Sequence, residues 1–316
     1  MIEIDTDVVR KRGEPAVIAE EYDRTRAARA LGESSGLFAV PRITRYDAAA
    51  GVLESERITD LTTLRQMAVK GETSLFQNLE QAGAALATIH AHLRQGHRTI
   101  LQLPALLQPA EECVFLHGDF TAANVGVSAS SGRLFIVDWS TAPMMGRQGN
   151  YGSRYFDLVW FTAFLFQVPS YRASFRWNSE GMAIAFLAEY AVHYPAFDPL
   201  AYARLGFALR SGMMSWWQRC ERRHRKNWTY TRSLTAVIVR LLMARRWHLF
   251  LRRQAAQRSR KAPASQRSRM SKQGRARDSI PADPRDLPGY GNSMSDSKLN
   301  VTVVTGRSSL PDSSRP

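Results

Sequence analysis

The 316-residue sequence has little cysteine, and its two cysteines, Cys113 and Cys220, lie far apart. A disulfide framework is therefore not expected, and a cytoplasmic protein in a reducing compartment is predicted. The N-terminal stretch MIEIDTDVVRKRG has early acidic residues and no apolar core, so no signal peptide is expected. The most apolar run, residues 158–168, has about half of the ~20 residues that span a bilayer, which favours a buried helix.

Acidic residues are absent from one long stretch near the end of the chain. The formal net charge is +15, but residues 245–277 contain twelve Lys and Arg and no Asp or Glu. The chain before this stretch is therefore close to neutral, and composition alone does not indicate a nucleic-acid-binding protein. The apolar stripe of the segment AVIVRLLMARRWHLFLRR is compatible with a core helix or with a helix lying on an anionic membrane, and the core helix is favoured.

Large apolar residues are also scarce after residue 252, where Ser, Pro, Gly and Arg dominate. Such a composition cannot bury enough surface to offset the entropy of ordering, so residues 253–316 are predicted to form a disordered basic tail. By charge alone the tail could bind nucleic acid or an anionic membrane. It lacks the interleaved aromatic residues that single-strand binding uses, and a soluble charged tail is the favoured interpretation.

The remaining sequence divides into two parts with different patterns. Residues 1–58 have the order strand, helix, strand, strand, with a turn predicted near residues 48–51. Residues 59–252 are mostly helical in pattern. One apolar stripe there consists of Leu79, Ala82, Leu86, Ile89 and Leu93. We therefore expect an α+β fold with a small β-rich N-terminal part and a larger helical C-terminal part.

Two carboxylates and one side-chain amide stand among β-prone apolar residues in the stretch VFLHGDFTAANVGVSASSGRLFIVDWS. Asp119 lies in a predicted loop, Asn124 begins the next strand, and Asp138 ends the hairpin that folds back beside Asn124. Phosphoryl transfer needs a carboxylate for the proton of the attacking hydroxyl, oxygen ligands for Mg²⁺ and a cation for the phosphate charge. Mg²⁺ prefers carboxylate and amide oxygens, so the hairpin predicts Asn124 and Asp138 as metal ligands beside Asp119.

The segments HGDFTAAN and FIVDW together resemble the catalytic signature of the aminoglycoside phosphotransferase and choline kinase group. These are small-molecule kinases with a protein-kinase-like two-lobed fold, and the resemblance covers roughly residues 8–250. It implies Asp119 as the catalytic base, Asn124 and Asp138 as Mg²⁺ ligands, and a loop shaped by His117 and Gly118. It also implies ATP and Mg²⁺ as cofactors and a hydroxyl group of a small molecule as the acceptor.

Two further segments resemble the same family. AALATIHAHL is similar to the helix that precedes the catalytic loop, and YFDLVWF is similar to the segment whose aspartate, here Asp157, braces that loop. For His90 a packed or turn-bonding histidine is favoured over a catalytic one. Asp157 is expected to have a structural role on either interpretation, because it could also cap the helix that follows.

The family resemblance further implies a strand Lys or Arg at the phosphates and a helix Glu that pairs with it. The strand VVRKR offers Arg10, Lys11 and Arg12, and alternation along the strand does not decide among them while the register is unknown. Lys11 is the preferred candidate, and Glu21 is preferred over Glu20 as its partner.

The end of the strand VLESERI resembles the hinge where backbone groups meet adenine, which places Glu56 and Ile58 at the nucleotide. The family also has two strands and a glycine-rich loop ahead of the lysine strand, but no glycine precedes Gly13 here. Either the start is assigned too far downstream, or the N-terminal lobe is shortened and activity is impaired. The missing loop motivates one alternative function, a kinase-like protein that binds nucleotide without turnover. The other alternative is a nucleic-acid-binding or membrane-associated protein whose behaviour is dominated by its basic tail.

Overall fold

The computed structural model describes residues 1–96, 113–140, 150–167, 177–209 and 234–261. It contains both sheets and helices, and the expected α+β class is confirmed. A cluster of buried apolar side chains extends from Ala28 on the first helix to Leu251 on the last, so both parts of the chain contribute to it.

The first sheet has four antiparallel strands in the order β1-β2-β4-β3. They are β1 (Ile2–Ile4), β2 (Val8–Arg12), β3 (Ile43–Asp47) and β4 (Val52–Glu56). The predicted order of one strand, a helix and two strands is present, and β1 is an additional strand. In β2, Arg10 lies opposite Glu54 and Lys11 lies opposite Leu53 of β4. Since neighbouring side chains in a strand point to opposite faces, Lys11 faces away from Arg10 and Arg12.

Helix α1 (Pro15–Ser35) connects β2 to β3 and buries charged residues on its inner face. Pro15 suits the first turn of a helix, because its missing N–H would have no partner there. The helix ends at Gly36, which has φ 69° and donates its N–H to the carbonyl of Gly32. Its buried face includes Glu21 and Arg24 beside apolar residues. Two charged groups are thus carried into the interior next to the first sheet.

Six helices follow in the described parts of the chain. They are α2 (Leu64–Lys70), α3 (Leu75–His92), α4 (Tyr155–Gln167), α5 (Ser179–His193), α6 (199–209) and α7 (Leu234–Lys261). All five residues of the apolar stripe predicted from Leu79 to Leu93 are buried. They lie on and just after α3, which packs most extensively against α5. None of the described helices is long and apolar enough to cross a membrane.

Two small sheets hold the segment that carries the polar residues. One has the order β5-β7-β8 and consists of β5 (Leu61–Thr63), β7 (Val125–Ser128) and β8 (Leu134–Ile136). The other pairs β6 (Val114–Phe115) with β9 (Tyr151–Gly152). The predicted hairpin is therefore present with shorter strands, and its turn is held by Asp60, which accepts bonds from Ser128 and Ser130.

Helix α7 is a core helix, as the apolar stripe predicts. Met243, Trp247, Phe250 and Leu251 are buried on one face of it. The helix continues to Lys261, so the predicted start of the disordered tail at residue 253 is wrong. Ala, Gln and Arg are good helix formers, and the buried side chain of Gln254 anchors this part of the helix. Residues 262–316 of the predicted tail lie outside the described residues.

A buried chain of three polar side chains joins α3, α4 and α5. His90 Nε2 lies 3.2 Å from Asp157 Oδ2, and His90 Nδ1 lies 2.8 Å from the Tyr190 hydroxyl. Burial would raise the pKa of Asp157, but its hydrogen bonds with the His90 ring and with the N–H of Gly118 hold the pKa below its ordinary value, so Asp157 is an ionised acceptor. The neutral imidazole therefore donates from Nε2 and accepts from Tyr190 at Nδ1. His90 is a packed, hydrogen-bonded residue, in agreement with the favoured interpretation.

We predict that His90 makes the folded protein sensitive to acid. Burial lowers the pKa of His90, with a further contribution from the Arg154 cation, so the unfolded chain binds a proton more readily than the folded one. The free energy of unfolding then falls as pH drops below the ordinary histidine pKa of about 6.5, by at most about 1.4 kcal/mol per pH unit from this group. The lowered pKa of Asp157 adds to the loss at lower pH, since a paired carboxylate stabilises the fold only while ionised. Denaturant unfolding at several pH values between 5 and 8 measures the slope.

The substitution His90→Gln replaces the imidazole with an amide that can also donate and accept hydrogen bonds but does not titrate. It should therefore flatten this slope between pH 7 and pH 5. His92→Gln serves as the matched control, because His92 lies on the same helix but is exposed. An unchanged slope in His90→Gln would show that other groups cause the acid sensitivity.

Candidate active site

The predicted catalytic loop is the segment between β6 and β7, and the carboxylate of Asp157 binds its backbone. The N–H of His117 donates to Oδ2 of Asp157 over 2.8 Å, and the N–H of Gly118 donates to Oδ1 over 2.9 Å. Gly118 has φ 85°, a left-handed conformation that glycine adopts without steric cost. His117 is fully buried beside Trp139, and burial lowers its pKa to about 4, so its ring is neutral. The Asp157 carboxylate thus fixes the backbone of the loop directly before Asp119.

Two side chains hold the carboxylate of Asp119. The indole N–H of Trp160 donates to Oδ1 over 2.7 Å, and the amide of Asn124 donates to Oδ2 over 3.0 Å. The Asn124 amide also donates to the main-chain oxygen of Asp119 over 2.9 Å, which fixes the spacing between these two residues. Burial raises the pKa of Asp119 to about 7, and the negative charge of Asp138 contributes to the rise. A carboxylate with such a pKa is suited to accept a proton near neutral pH.

Asn124 and Asp138 come together through the hairpin of β7 and β8. The N–H of Val137 donates to the main-chain oxygen of Asn124 over 2.9 Å, so Asp138 is one residue beyond the position opposite Asn124. Asp138 has φ 60°, the only non-glycine residue with positive φ in the described parts of the chain. Its Oδ1 accepts bonds from Lys11 and from the Ser140 hydroxyl, each over 2.6 Å.

Lys11 connects the first sheet and α1 to this hairpin. Its ammonium group makes ion pairs with Glu21 and with Asp138. Burial would lower the pKa of Lys11, but these two carboxylates raise it above its ordinary value. Burial would likewise raise the pKa of Asp138, but Lys11 and Ser140 lower it to about 2. Lys11 and Asp138 are therefore charged in the folded protein, whereas burial raises the pKa of Glu21 above its ordinary value.

The structure distinguishes among the charged residues that the sequence left open. Arg10 donates to Glu54 over 2.7 Å and to Glu3 over 3.2 Å, and Arg12 lies 3.7 Å from Glu3. Both arginines are thus on the side of β2 away from Asp138, and Lys11 is the residue of this strand that faces it.

The residues predicted at the adenine hinge are not in contact with this cluster. Glu56 lies at the end of β4, where its carboxylate accepts the N–H of Arg42 over 2.7 Å and its own N–H donates to the carbonyl of Arg42. The N–H of Arg57 is also taken, by the carbonyl of Asp7 over 2.8 Å. Ile58 is half-buried, and its carbonyl accepts the N–H of Leu61. A nucleotide-binding role for Glu56 and Ile58 stays a prediction.

The oxygen atoms available beside Asp119 fit a hard divalent cation. Within the described residues, no hydrogen bond engages Oδ1 of Asn124 or Oδ2 of Asp138. The described residues contain no cluster of three or more His, Cys, Asp or Glu that could hold a metal by itself. This is compatible with Mg²⁺, which keeps several waters and is bound by one or two protein oxygens together with substrate phosphates. The residues present therefore suit a phosphate-bound Mg²⁺ and do not suit a closed structural metal site.

Sequence patterns did not reveal two residues of the site, Trp160 and Arg24. Trp160 lies three residues after Asp157, one turn along α4, and this spacing places both on the side of α4 that meets the catalytic loop. Arg24 lies three residues after Glu21 on α1, on the same buried face. Helical spacing from an identified residue was the available signal in both cases.

The chain was compared with known proteins. No protein-family model and no curated protein matches its sequence. Solved structures do match. A choline/ethanolamine kinase family protein from Mesorhizobium loti has 15% identity over 85% of this chain and 86% of its own, with a TM-score of 0.45. Choline kinase LicA from Streptococcus pneumoniae has 14% identity over 79% of this chain and 87% of its own, with a TM-score of 0.44. A glucosamine kinase in complex with glucosamine, ADP and inorganic phosphate has 16% identity over 84% of this chain and 79% of its own, with a TM-score of 0.42.

Identity and TM-score are low in all three comparisons, so we infer the function from the geometry of the site. By their names the three solved proteins are small-molecule kinases. The names of two of them contain choline kinase or choline/ethanolamine kinase.

Proposed function

We propose that this protein transfers the γ-phosphate of ATP to a hydroxyl group of a small molecule in an Mg²⁺-dependent reaction. In this proposal the first sheet and α1 belong to the N-terminal lobe of a kinase-like fold, and the helical part forms the second lobe. The acceptor is a small molecule that binds beside Asp119.

One observation carries the proposal. Lys11 and Glu21, from the first sheet and α1, meet Asp138 of the hairpin, while the same hairpin holds Asn124 against Asp119. Residues more than a hundred positions apart in the sequence therefore supply a cation, two hard oxygen ligands and a proton acceptor at one place. Phosphoryl transfer needs this combination, because catalysis there consists mainly of positioning and charge stabilisation.

The residues would divide the chemistry as follows. Asp119 accepts the proton of the acceptor hydroxyl. The hydroxyl oxygen forms a bond to the γ-phosphorus while the bond between this phosphorus and the bridging oxygen of ADP breaks. Lys11 binds phosphate oxygens while Glu21 keeps the ammonium group in place. Asn124 Oδ1 and Asp138 Oδ2 would hold Mg²⁺, which neutralises charge on the phosphates when bound. The brace from Asp157 keeps the loop in position during the transfer.

Nucleotide binding should depend on both Mg²⁺ and Asp138. We expect calorimetric titration of Mg·ATP into the full chain to give saturable binding, at least about tenfold weaker without metal, because the metal links the phosphates to the hairpin. Asp138→Ala should lose the metal-dependent part. Asp60→Ala is the matched control, since that carboxylate holds the other end of the same hairpin.

A folded protein that binds no Mg·ATP would contradict the proposed function. If Mg·ATP binds, ADP formation is then measured with a panel of hydroxyl acceptors such as amino alcohols, amino sugars and aminoglycosides. Binding without ADP formation by any acceptor would favour the alternative of a nucleotide-binding protein without turnover.

Trp160 should affect turnover more than nucleotide binding. Trp160→Phe keeps an aromatic ring but removes the N–H that holds Oδ1 of Asp119, so the carboxylate can rotate away from the acceptor hydroxyl. We expect kcat to fall by roughly 10- to 100-fold while KM for ATP stays within about twofold, since small errors in positioning cost such factors. Steady-state kinetics with the acceptor found in the panel measures both constants.

Trp177→Phe is the matched control for this substitution. Trp177 is also buried, and its indole N–H donates to the carbonyl of Leu165 over 2.6 Å instead of to Asp119. If both variants lowered kcat equally, the effect would come from lost packing in the helical part and not from the bond to Asp119.

A further inference from the structure

Arg24 is a fully buried guanidinium group that contacts the two segments carrying the catalytic residues. Its Nε donates to the carbonyl of Trp139 over 2.6 Å. Its Nη2 donates to the carbonyl of Leu116 over 3.0 Å and to that of His117 over 2.6 Å. One side chain on α1 therefore bonds to the backbone on both sides of the site.

The three carbonyls lie next to the residues that the proposed reaction uses. Trp139 directly follows Asp138, and His117 is two residues before Asp119. Glu21, the partner of Lys11, is one helical turn before Arg24 on the same buried face of α1. The guanidinium thus links the helix of the phosphate-binding pair to the metal-binding hairpin and to the catalytic loop.

The hairpin segment has a backbone conformation that needs support from outside. Gly118 has φ 85° and Asp138 has φ 60°, and the left-handed region is disfavoured for a residue such as Asp138. Buried carbonyls also need a donor, because an unpaired one loses its bonds to water without compensation. Arg24 supplies donors beside each of these two positions, so it stabilises the conformations that aim Asp119 and Asp138.

Packing alone does not account for a cation at this place. A buried guanidinium is costly to desolvate, and an apolar side chain would fill the same space at lower cost. Within the described residues its Nη1 has no hydrogen-bond partner, and its described bonds all go to main-chain carbonyls. The planar fork presents donors in fixed directions to carbonyls of two segments at once, whereas a lysine presents one compact, rotatable ammonium group and an apolar residue presents no donor.

We propose that Arg24 is a positioning residue that keeps the metal-binding hairpin and the catalytic loop at a fixed distance from α1, and that metal-dependent nucleotide binding requires it. This inference rests on the proposed function. Arg24 acts through the backbone next to Asp138 and Asp119 and does not touch the substrate itself.

The test is the ratio of the affinities for ATP with and without Mg²⁺, measured by calorimetry on the full chain. Arg24→Lys keeps the positive charge but loses the fork, and Arg24→Gln keeps a planar donor but loses the charge and reach. We expect the ratio to fall by about tenfold or more in both variants, toward that of Asp138→Ala, while metal-free ATP binds as in the unaltered protein. General destabilisation would not change this ratio selectively.

Two control variants and one double variant complete the experiment. Arg29→Lys makes the same exchange on a more exposed part of α1, and Tyr202→Phe removes a buried hydrogen bond to Thr162 far along the chain. Both should keep the ratio of the unaltered protein. Arg24→Lys combined with Asp138→Ala should show no further loss beyond Asp138→Ala, because both changes act on the same metal-dependent contact.

The outcomes separate this inference from the proposed function. If the unaltered protein shows no Mg²⁺-dependent ATP binding, the proposed function fails and the inference fails with it. If the unaltered protein binds Mg·ATP and folded Arg24→Lys keeps its ratio, only the role of Arg24 is overturned. Additive losses in the double variant would likewise overturn it.

If neither Arg24 variant folds, hydrogen exchange on the unaltered protein decides. Arg24 as a link requires that the amides of residues 115–119 and 137–140 open together with those of α1, with the same free energy. Exchange of the catalytic loop while α1 stays protected would overturn the inference.

Discussion

The predicted catalytic loop depends on one buried carboxylate, that of Asp157. An anion without water is stable in the interior only when hydrogen bonds replace its solvation, and here two backbone N–H groups and the ring of His90 do so. The same bonds fix the backbone at His117 and Gly118. The shape of the loop is therefore determined by the hydrogen bonds that the buried carboxylate requires. The position of the Asp119 carboxylate and its contact with Asn124 follow from that shape.

Much of this site could be predicted from the sequence because its residues lie close together along the chain. Asp119, Asn124 and Asp138 belong to one loop and one hairpin, so short-range spacing was sufficient to bring them together. The choice of Lys11 needed more. Its strand carries three basic residues in a row, and only the pairing of β2 with β4 shows which of them faces the hairpin. Pairing between strands distant in sequence cannot be read from composition or periodicity.

What could not be predicted acts through the main chain or across distant elements. Arg24 bonds to carbonyl groups, which every residue possesses, so no side-chain pattern marks its targets. In the sequence Trp160 resembles the other apolar residues of a buried helix, and only the fold shows that its N–H donates to Asp119. The end of α7 was misplaced because composition suggested disorder after residue 252, although the residues there favour a helix once Gln254 is packed.

The pairing of Lys11 with Asp138 has a consequence for the proposed binding of Mg·ATP. The ammonium group of Lys11 lies beside Asp138 and carries one positive charge. In the proposed reaction Lys11 would move to the phosphates as Asp138 turns to the metal, and it would keep Glu21 throughout. Binding of Mg·ATP would then exchange one ionic partner of Asp138 for another, and would not neutralise a carboxylate that had no partner before. The lysine serves as a built-in counter-ion, which keeps the Asp138 carboxylate ionised and reduces its attraction for foreign cations.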